Sequence, residues 1–166
     1  MLSVVDKQEI HDNLKKALDT YLGNRPDAYR WLLRFRDMCH ALDDIIDIPE
    51  RRADNQFIGR VSNLYVEVLS DDFYATRRPH LYPVVKQCHH FYFNSVAWEH
   101  SDVSWKATYA DVIRCCTNNM VVAVVELVVL EETGNLDVAY EAARDIALLS
   151  ATKSWWDHHS EDGTPI

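Results

Sequence analysis

Glycine and proline are scarce in this sequence, with 4 and 5 residues in 166, well below the roughly 12% of an average chain. Strands joined by tight turns need more of both, so the shortage argues against a turn-rich β architecture and for long helices. A basic stripe is also missing. The 17 Lys and Arg stand against 26 Asp and Glu, a net charge of −9 that repels a phosphate backbone and argues against direct nucleic-acid binding. The four cysteines, Cys39, Cys88, Cys115 and Cys116, contain no C-x-x-C pair and sit among apolar neighbours, as reduced core cysteines do, which points to a reducing, cytoplasmic setting. No long apolar run is present either. The most apolar segment, Met120 to Leu130, has 11 residues and contains Glu126, short of the roughly 20 that span a membrane. Met1 to Lys7 reaches charge before any stretch long enough for a signal peptide, so neither a membrane span nor secretion is expected.

What is present is 48% hydrophobic residues, enough for one core without disulfide or metal staples. Apolar periodicity predicts an all-α, single-domain bundle of about six helices over residues 1–159, followed by a polar tail at 160–166 expected to fray. The first helix runs from about Asp6 to Leu22 and stops at Gly23-Asn24. The second opens at Pro26 and carries Trp31, Phe35, Met38, Leu42, Ile45 and Ile46 to Pro49. A charged loop is expected at Glu50 to Asn55, then a third helix to Leu69, an irregular connection over Asp71 to His80, and a fourth helix from about Pro79 to His100. The fifth, Trp105 to about Glu132, is apolar on all faces over Val121 to Leu130 and is expected to be central. After Gly134-Asn135 the sixth runs from Leu136 to about Trp156, with small side chains at Ala139, Ala143, Ile146, Ala147, Ser150 and Ser154 that suit close helix packing.

The sharpest chemical lead is on the second helix. Asp43 and Asp47 lie four residues apart and rise from one face, while Asp44 pairs at the same spacing with His40. Three carboxylates within five residues repel one another, and a hard cation such as Mg²⁺ would relieve that repulsion. The alternative is a solvated acidic face, although carboxylates near a helix C-terminus oppose its dipole and need compensation.

Asp43-Asp44-Ile45-Ile46-Asp47 resembles the D-D-x-x-D motif of the class I isoprenoid synthases, an all-α family whose aspartates hold Mg²⁺ ions that bind and ionise an allylic diphosphate. The resemblance implies Mg²⁺ ligation by Asp43 and Asp47, with Asp44 as a further candidate. The family's second metal motif places Asn, a hydroxyl residue and Glu at four-residue steps. Asn118, Val122 and Glu126 stand at that spacing, with Val122 where the hydroxyl belongs.

Glu126 lies within the apolar run, where a buried carboxylate needs a partner, a proton or a metal. Asp111, Cys115, Asn118, Asn119 and Glu126 fall within an arc of about 80° on the fifth helix. Facing Asp43 and Asp47, that stripe would surround Mg²⁺, with His40, Asn119 and Asp111 as wall residues. The alternatives for Glu126 are an ion pair with Arg34, Arg36 or Arg60, or exposure at an oligomer interface. Glu99 reads as a further acidic wall residue or a helix-end charge. The adjacent pairs His89-His90 and His158-His159 diverge on a helix and do not signal zinc.

Two functions compete. One is a Mg²⁺-dependent protein that binds or hydrolyses a diphosphate- or nucleotide-type ligand. The all-α nucleotide pyrophosphatases offer a second analogy for it, although their E-x-x-E and E-x-x-D pairs are absent. The other is a non-enzymatic acidic interaction protein, an adaptor, inhibitor or assembly subunit, with Trp155 and Trp156 at an interface with a protein partner or a second copy.

Overall fold

A computed structural model describes residues 7–114 and 118–157, with the side chains at 7, 108, 111 and 154–157 outside the description. The described elements are all helices: α1 (Lys7–Leu22), α2 (Pro26–Asp47), α3 (Pro49–Ala53), α4 (Asn55–Ser70), α5 (Asp72–Glu99), α6 (Ser104–Arg114), α7 (Asn119–Thr133) and α8 (Leu136–Asp157). The all-α expectation holds. The expected fifth helix corresponds to α6 and α7, with residues 115–117 between them outside the described set. Taken as one stretch, Ser104–Thr133 is long and apolar enough, by length and composition alone, to cross a membrane, and a third of its most apolar window is buried.

Helix ends follow local chemistry. At Gly23 a Cβ would run into the Asp19 backbone carbonyl. Gly134 closes α7 in the left-handed region at φ 64°, where a side chain would be strained, and returns its N–H to the Leu130 carbonyl. Asp54 and Asp71 cap α4 and α5, accepting from the amides of Gln56 and Phe57 and of Phe73.

Two expected connections are helical instead. Residues 49–53 form α3, because Pro49 suits a first helical turn as well as it suits the end of α2. Its consequence lies at the α2 C-terminus, where Arg52 donates to the carbonyls of Ile45 (3.1 Å) and Ile46 (2.6 Å). Asp44 faces Arg51 at 3.8 Å. These cations answer the negative end of α2 and offset its acidic last turn. The segment 71–80, expected to be irregular, is the start of α5, which continues through Pro79 and Pro83. An interior proline costs a helix about 3 kcal/mol. Here both prolines lie on the exposed side, while Phe73, Tyr74, Leu81 and Cys88 are buried on the other, so tertiary packing overrides the local signal.

At the centre, Met120, Val124, Val125 and Val128 of α7 are fully buried, and α7 packs against α8, α5, α1 and α2, as expected of the central helix. Ala139, Ala142, Ala143, Ile146 and Ser150 of α8 are buried as well, which allows the close approach anticipated from their small size. Ala147, on the same predicted stripe, is exposed. One end is latched by Arg25 and Arg77, which both bond Glu131 at 3.1 and 2.7 Å and both lie over the Phe73 ring. Burial pushes the Glu131 carboxyl up, but the bonds from Arg77 and Arg25 more than offset this and hold it below its ordinary value. Trp31 is wholly buried, stacked between Phe35 and Tyr74 at 5.5 and 5.6 Å. Its indole donates at 2.9 Å to the Val68 carbonyl in the last turn of α4.

Replacing Trp31 by Phe keeps an aromatic ring but strips that buried carbonyl of its partner. A loss of about 1–3 kcal/mol in urea unfolding is expected, and an unchanged midpoint would show that the indole bond contributes nothing net.

Candidate functional site

α1 lies mainly against α8 and α7, whereas α2 lies mainly against α4, and the two helices touch each other least. Between them opens a cleft of about 750 Å³, within the usual range for small-molecule sites. α1 contributes His11, Leu14, Lys15 and Leu18. α2 contributes Tyr29, Leu32 and Leu33 from its first half, then Arg36, Cys39, His40 and Asp43, a stripe at helical spacing. Asp43 stands about three turns beyond Leu32 and nearly in line with it, on the cleft flank of α2. Val121 of α7 and Ser150 and Lys153 of α8 also line the cleft, as do Tyr92, Arg114 and Asn118.

A hydrogen-bonded chain organises one end. The Tyr92 hydroxyl donates to Asp43 Oδ1 at 2.7 Å. Arg114 donates from Nε to Ser95 Oγ at 3.3 Å and from Nη2 to Glu99 at 2.6 Å. Ser95, fully buried, donates in turn to the Tyr92 carbonyl at 2.6 Å. These bonds join α2, α5 and α6. Asn118 donates to the Ser150 carbonyl at 3.4 Å. The Ser150 hydroxyl is buried, with the residue 4% exposed, and makes no hydrogen bond among the described residues.

Electrostatically the cleft differs from the rest of the chain. Four cations (Lys15, Arg36, Arg114 and Lys153) and one carboxylate (Asp43) line it, in a protein of net charge −9. Lys15, Arg36 and Arg114 are each answered by a carboxylate outside the lining, respectively Asp19, Asp37 and Glu99. Burial, aided by nearby Cys88 and Asp43, pushes the Cys39 thiol up to about 12. Burial and then the bond to Asp43 hold the Tyr92 phenol well above its ordinary value.

Of the residues singled out from sequence, the cleft brings together Asp43, His40 and Asn118. Asp44 faces Arg51, and Asp47 is exposed at the last position of α2. Glu126 is half-buried and does not line the cleft. The expected ion pairs to it are not formed, since Arg34 bonds Asp71, Arg36 bonds Asp37 and Arg60 lies over Phe57. Among the described residues no group of three His, Cys, Asp or Glu converges to hold a metal ion. Asn119 is exposed. Asp111 belongs to α6 rather than α7, and its side chain, like those of Trp155 and Trp156, lies outside the described residues. Glu99 ends α5 and pairs with Arg114.

Sequence reasoning missed Tyr92, Arg114 and Lys153 as site residues. Ser150 was visible only as one member of a packing stripe. Its signal was a hydroxyl at a position where its stripe-mates Ala139, Ala143 and Ile146 carry none. No family model, curated protein or solved structure matches the chain.

Two outcomes follow from the shifted groups. With its thiol at about 12 rather than 9, native Cys39 is expected to react with iodoacetamide near pH 8 about a thousandfold more slowly than an ordinary thiol. Timed quenching and peptide mass spectrometry measure this, and rapid native labelling at Cys39 would contradict the raised thiol value. A phenol whose folded value is raised stabilises the fold below its ordinary value of about 10 and loses that contribution as pH climbs past it. Tyr92→Phe protein should therefore lose less stability than the parent between about pH 10 and 11.5, compared by urea midpoints.

Proposed function

We propose that the protein binds a partly apolar organic anion in the cleft between α1 and α2. The observation that carries this reading is the mixed make-up of the lining, with charged side chains set beside apolar ones. Four cations and one carboxylate meet Leu14, Leu18, Leu32 and Leu33 there, in a chain that is acidic overall. Apolar walls with a few convergent polar groups are what a small-molecule site needs, and cations at its surface select the sign of the ligand. Cys39 and Cys88 form no disulfide among the described residues, which supports a reducing compartment for this activity.

The probe for the test is anilinonaphthalene sulfonate, an apolar ring system with one sulfonate. A saturable fluorescence rise at one site per chain is expected, weakened about tenfold by Lys153→Glu and by Arg36→Glu, in line with the loss of one charge-assisted contact. Absence of saturable binding, or binding indifferent to both reversals, would remove the proposal.

The magnesium-diphosphate reading retains one supporting observation, Asp43 at the cleft wall beside Arg114. It requires that Mg²⁺ with inorganic diphosphate raise the melting temperature and that Asp43→Asn abolish the rise. The interaction-protein reading is supported by Trp105, Tyr109 and Val112, which are more than half exposed along one side of α6.

A further inference from the structure

We infer that the outer face shared by α4 and α5 docks an acidic amphipathic helix of a partner protein. The inference is independent of the cleft, because none of the residues that carry it lines the cleft. It begins from where negative charge is missing. From Phe73 to Trp98 the chain holds no Asp or Glu, yet Arg77, Arg78, Lys86 and three histidines fall within that stretch. Together α4 and α5 hold four cations against three carboxylates, whereas the rest of the chain holds 13 against 23.

On α5, Arg78, Tyr82, Lys86, His89 and Phe93 follow at steps of three and four residues and form one stripe about 22 Å long. Every member is exposed, Tyr82 and Phe93 by 49 and 45%. Arg78 lies over the Tyr82 ring and His89 packs on Phe93, so charge and aromatic surface are interleaved. On α4, Ile58, Tyr65 and Leu69 share one face and are 36 to 40% exposed. The two stripes approach each other near Tyr74. Burial raises that phenol above its ordinary value, Arg78 opposes the rise, and Tyr82 and Tyr65 add to it, which places all three close by. α4 rests mainly on α2, and α5 mainly on α6 and α7, so these side chains are left to solvent.

The three carboxylates of α4 and α5 lie off the stripes. Glu67 is about 200° round α4 from Tyr65, and Asp72 is about 120° round α5 from Arg78. Glu99 is bound to Arg114. Arg77 is bound to Glu131, whereas Arg78 and Lys86 have no carboxylate within ion-pair reach among the described residues. Two acidic side chains on a partner match them. Self-pairing does not, because two antiparallel α5 stripes set each Lys86 beside the other. A nucleic acid needs a run of cations for its phosphates, and the acidic remainder of the chain repels it. A helix offers apolar residues at one-turn steps for Tyr65, Leu69, Tyr82 and Phe93, with Glu or Asp beside them.

Fluorescence anisotropy of a labelled amphipathic peptide of about 18 residues, or five turns, tests the inference. The peptide carries leucines along one face and glutamates on both flanks, and a control peptide replaces every Glu by Lys. One saturable site per chain is expected for the glutamate peptide, with the lysine peptide at least about tenfold weaker. Arg78→Glu and Lys86→Glu should each weaken the glutamate peptide about tenfold, and the double reversal should prefer the lysine peptide. Tyr82→Ala should weaken the glutamate peptide severalfold. All three positions are exposed, so these variants keep the parent's melting temperature. Arg36→Glu and Lys153→Glu, in the cleft, should leave peptide binding unchanged. Equal binding of the two peptides, no saturable binding, or a loss confined to the cleft reversals overturns the inference. Phosphatidylserine vesicles or a thymidine oligonucleotide binding through Arg78 and Lys86 more tightly than the peptide overturns the choice of a helix.

Discussion

An apolar helix face must be covered, and α7 carries such a face. Val124, Val125 and Val128 are fully excluded from water, and each valine so placed contributes about 1.5 kcal/mol or more relative to exposure. α8, α5, α1 and α2 are arranged to satisfy that demand. Small residues on α8 let it approach closely. α2 reaches α7 while resting on α4, tied there by the Trp31 indole bond to the Val68 carbonyl, and its Trp31 ring also stacks on Tyr74 of α5. α1 reaches α7 while resting on α8. Because α1 and α2 take most of their support from different helices and touch each other little, a cleft is left between them that Val121 of α7 also lines.

This arrangement explains why the acidic cluster on α2 has several physical accounts instead of one. Asp44 and the α2 C-terminus are answered by the short helix α3 through Arg51 and Arg52. Asp43 turns the other way, toward Tyr92 and the cleft. Asp47 stays in water. Three neighbouring carboxylates thus face three surroundings, and the repulsion among them is relieved by protein groups for two of them.

Much of the fold was legible from residues whose effect is local. Gly23, Pro26 and Gly134 mark helix ends through backbone geometry, which acts within a few residues. The failure at 71–80 has the same origin turned around. Pro79 is a strong local signal, but Phe73, Tyr74 and Leu81 contribute burial that only the assembled bundle provides. The site was legible in a smaller part. Asp43, His40 and Asn118 line the cleft, but Arg114, Tyr92 and Lys153 reach it from three other helices. Which side of each helix meets which neighbour is a property of packing and leaves no spacing in the sequence. Glu126 illustrates the limit. An acidic residue inside a valine run demands an explanation if the helix is buried all round, and α7 leaves that one face half open.

The two prolines of α5 carry a mechanical consequence. Neither can donate to the preceding turn, so the carbonyls of Ala75 and Pro79 lose their usual helical partners, and the backbone ladder is interrupted twice between Tyr74 and Val84. Upstream, Phe73 and Arg77 belong to the latch around Glu131. Downstream, Tyr92 and Ser95 belong to the polar end of the cleft. Across that stretch α5 is held in line by side-chain packing, with Leu81 buried in the core, where its backbone ladder does not hold it.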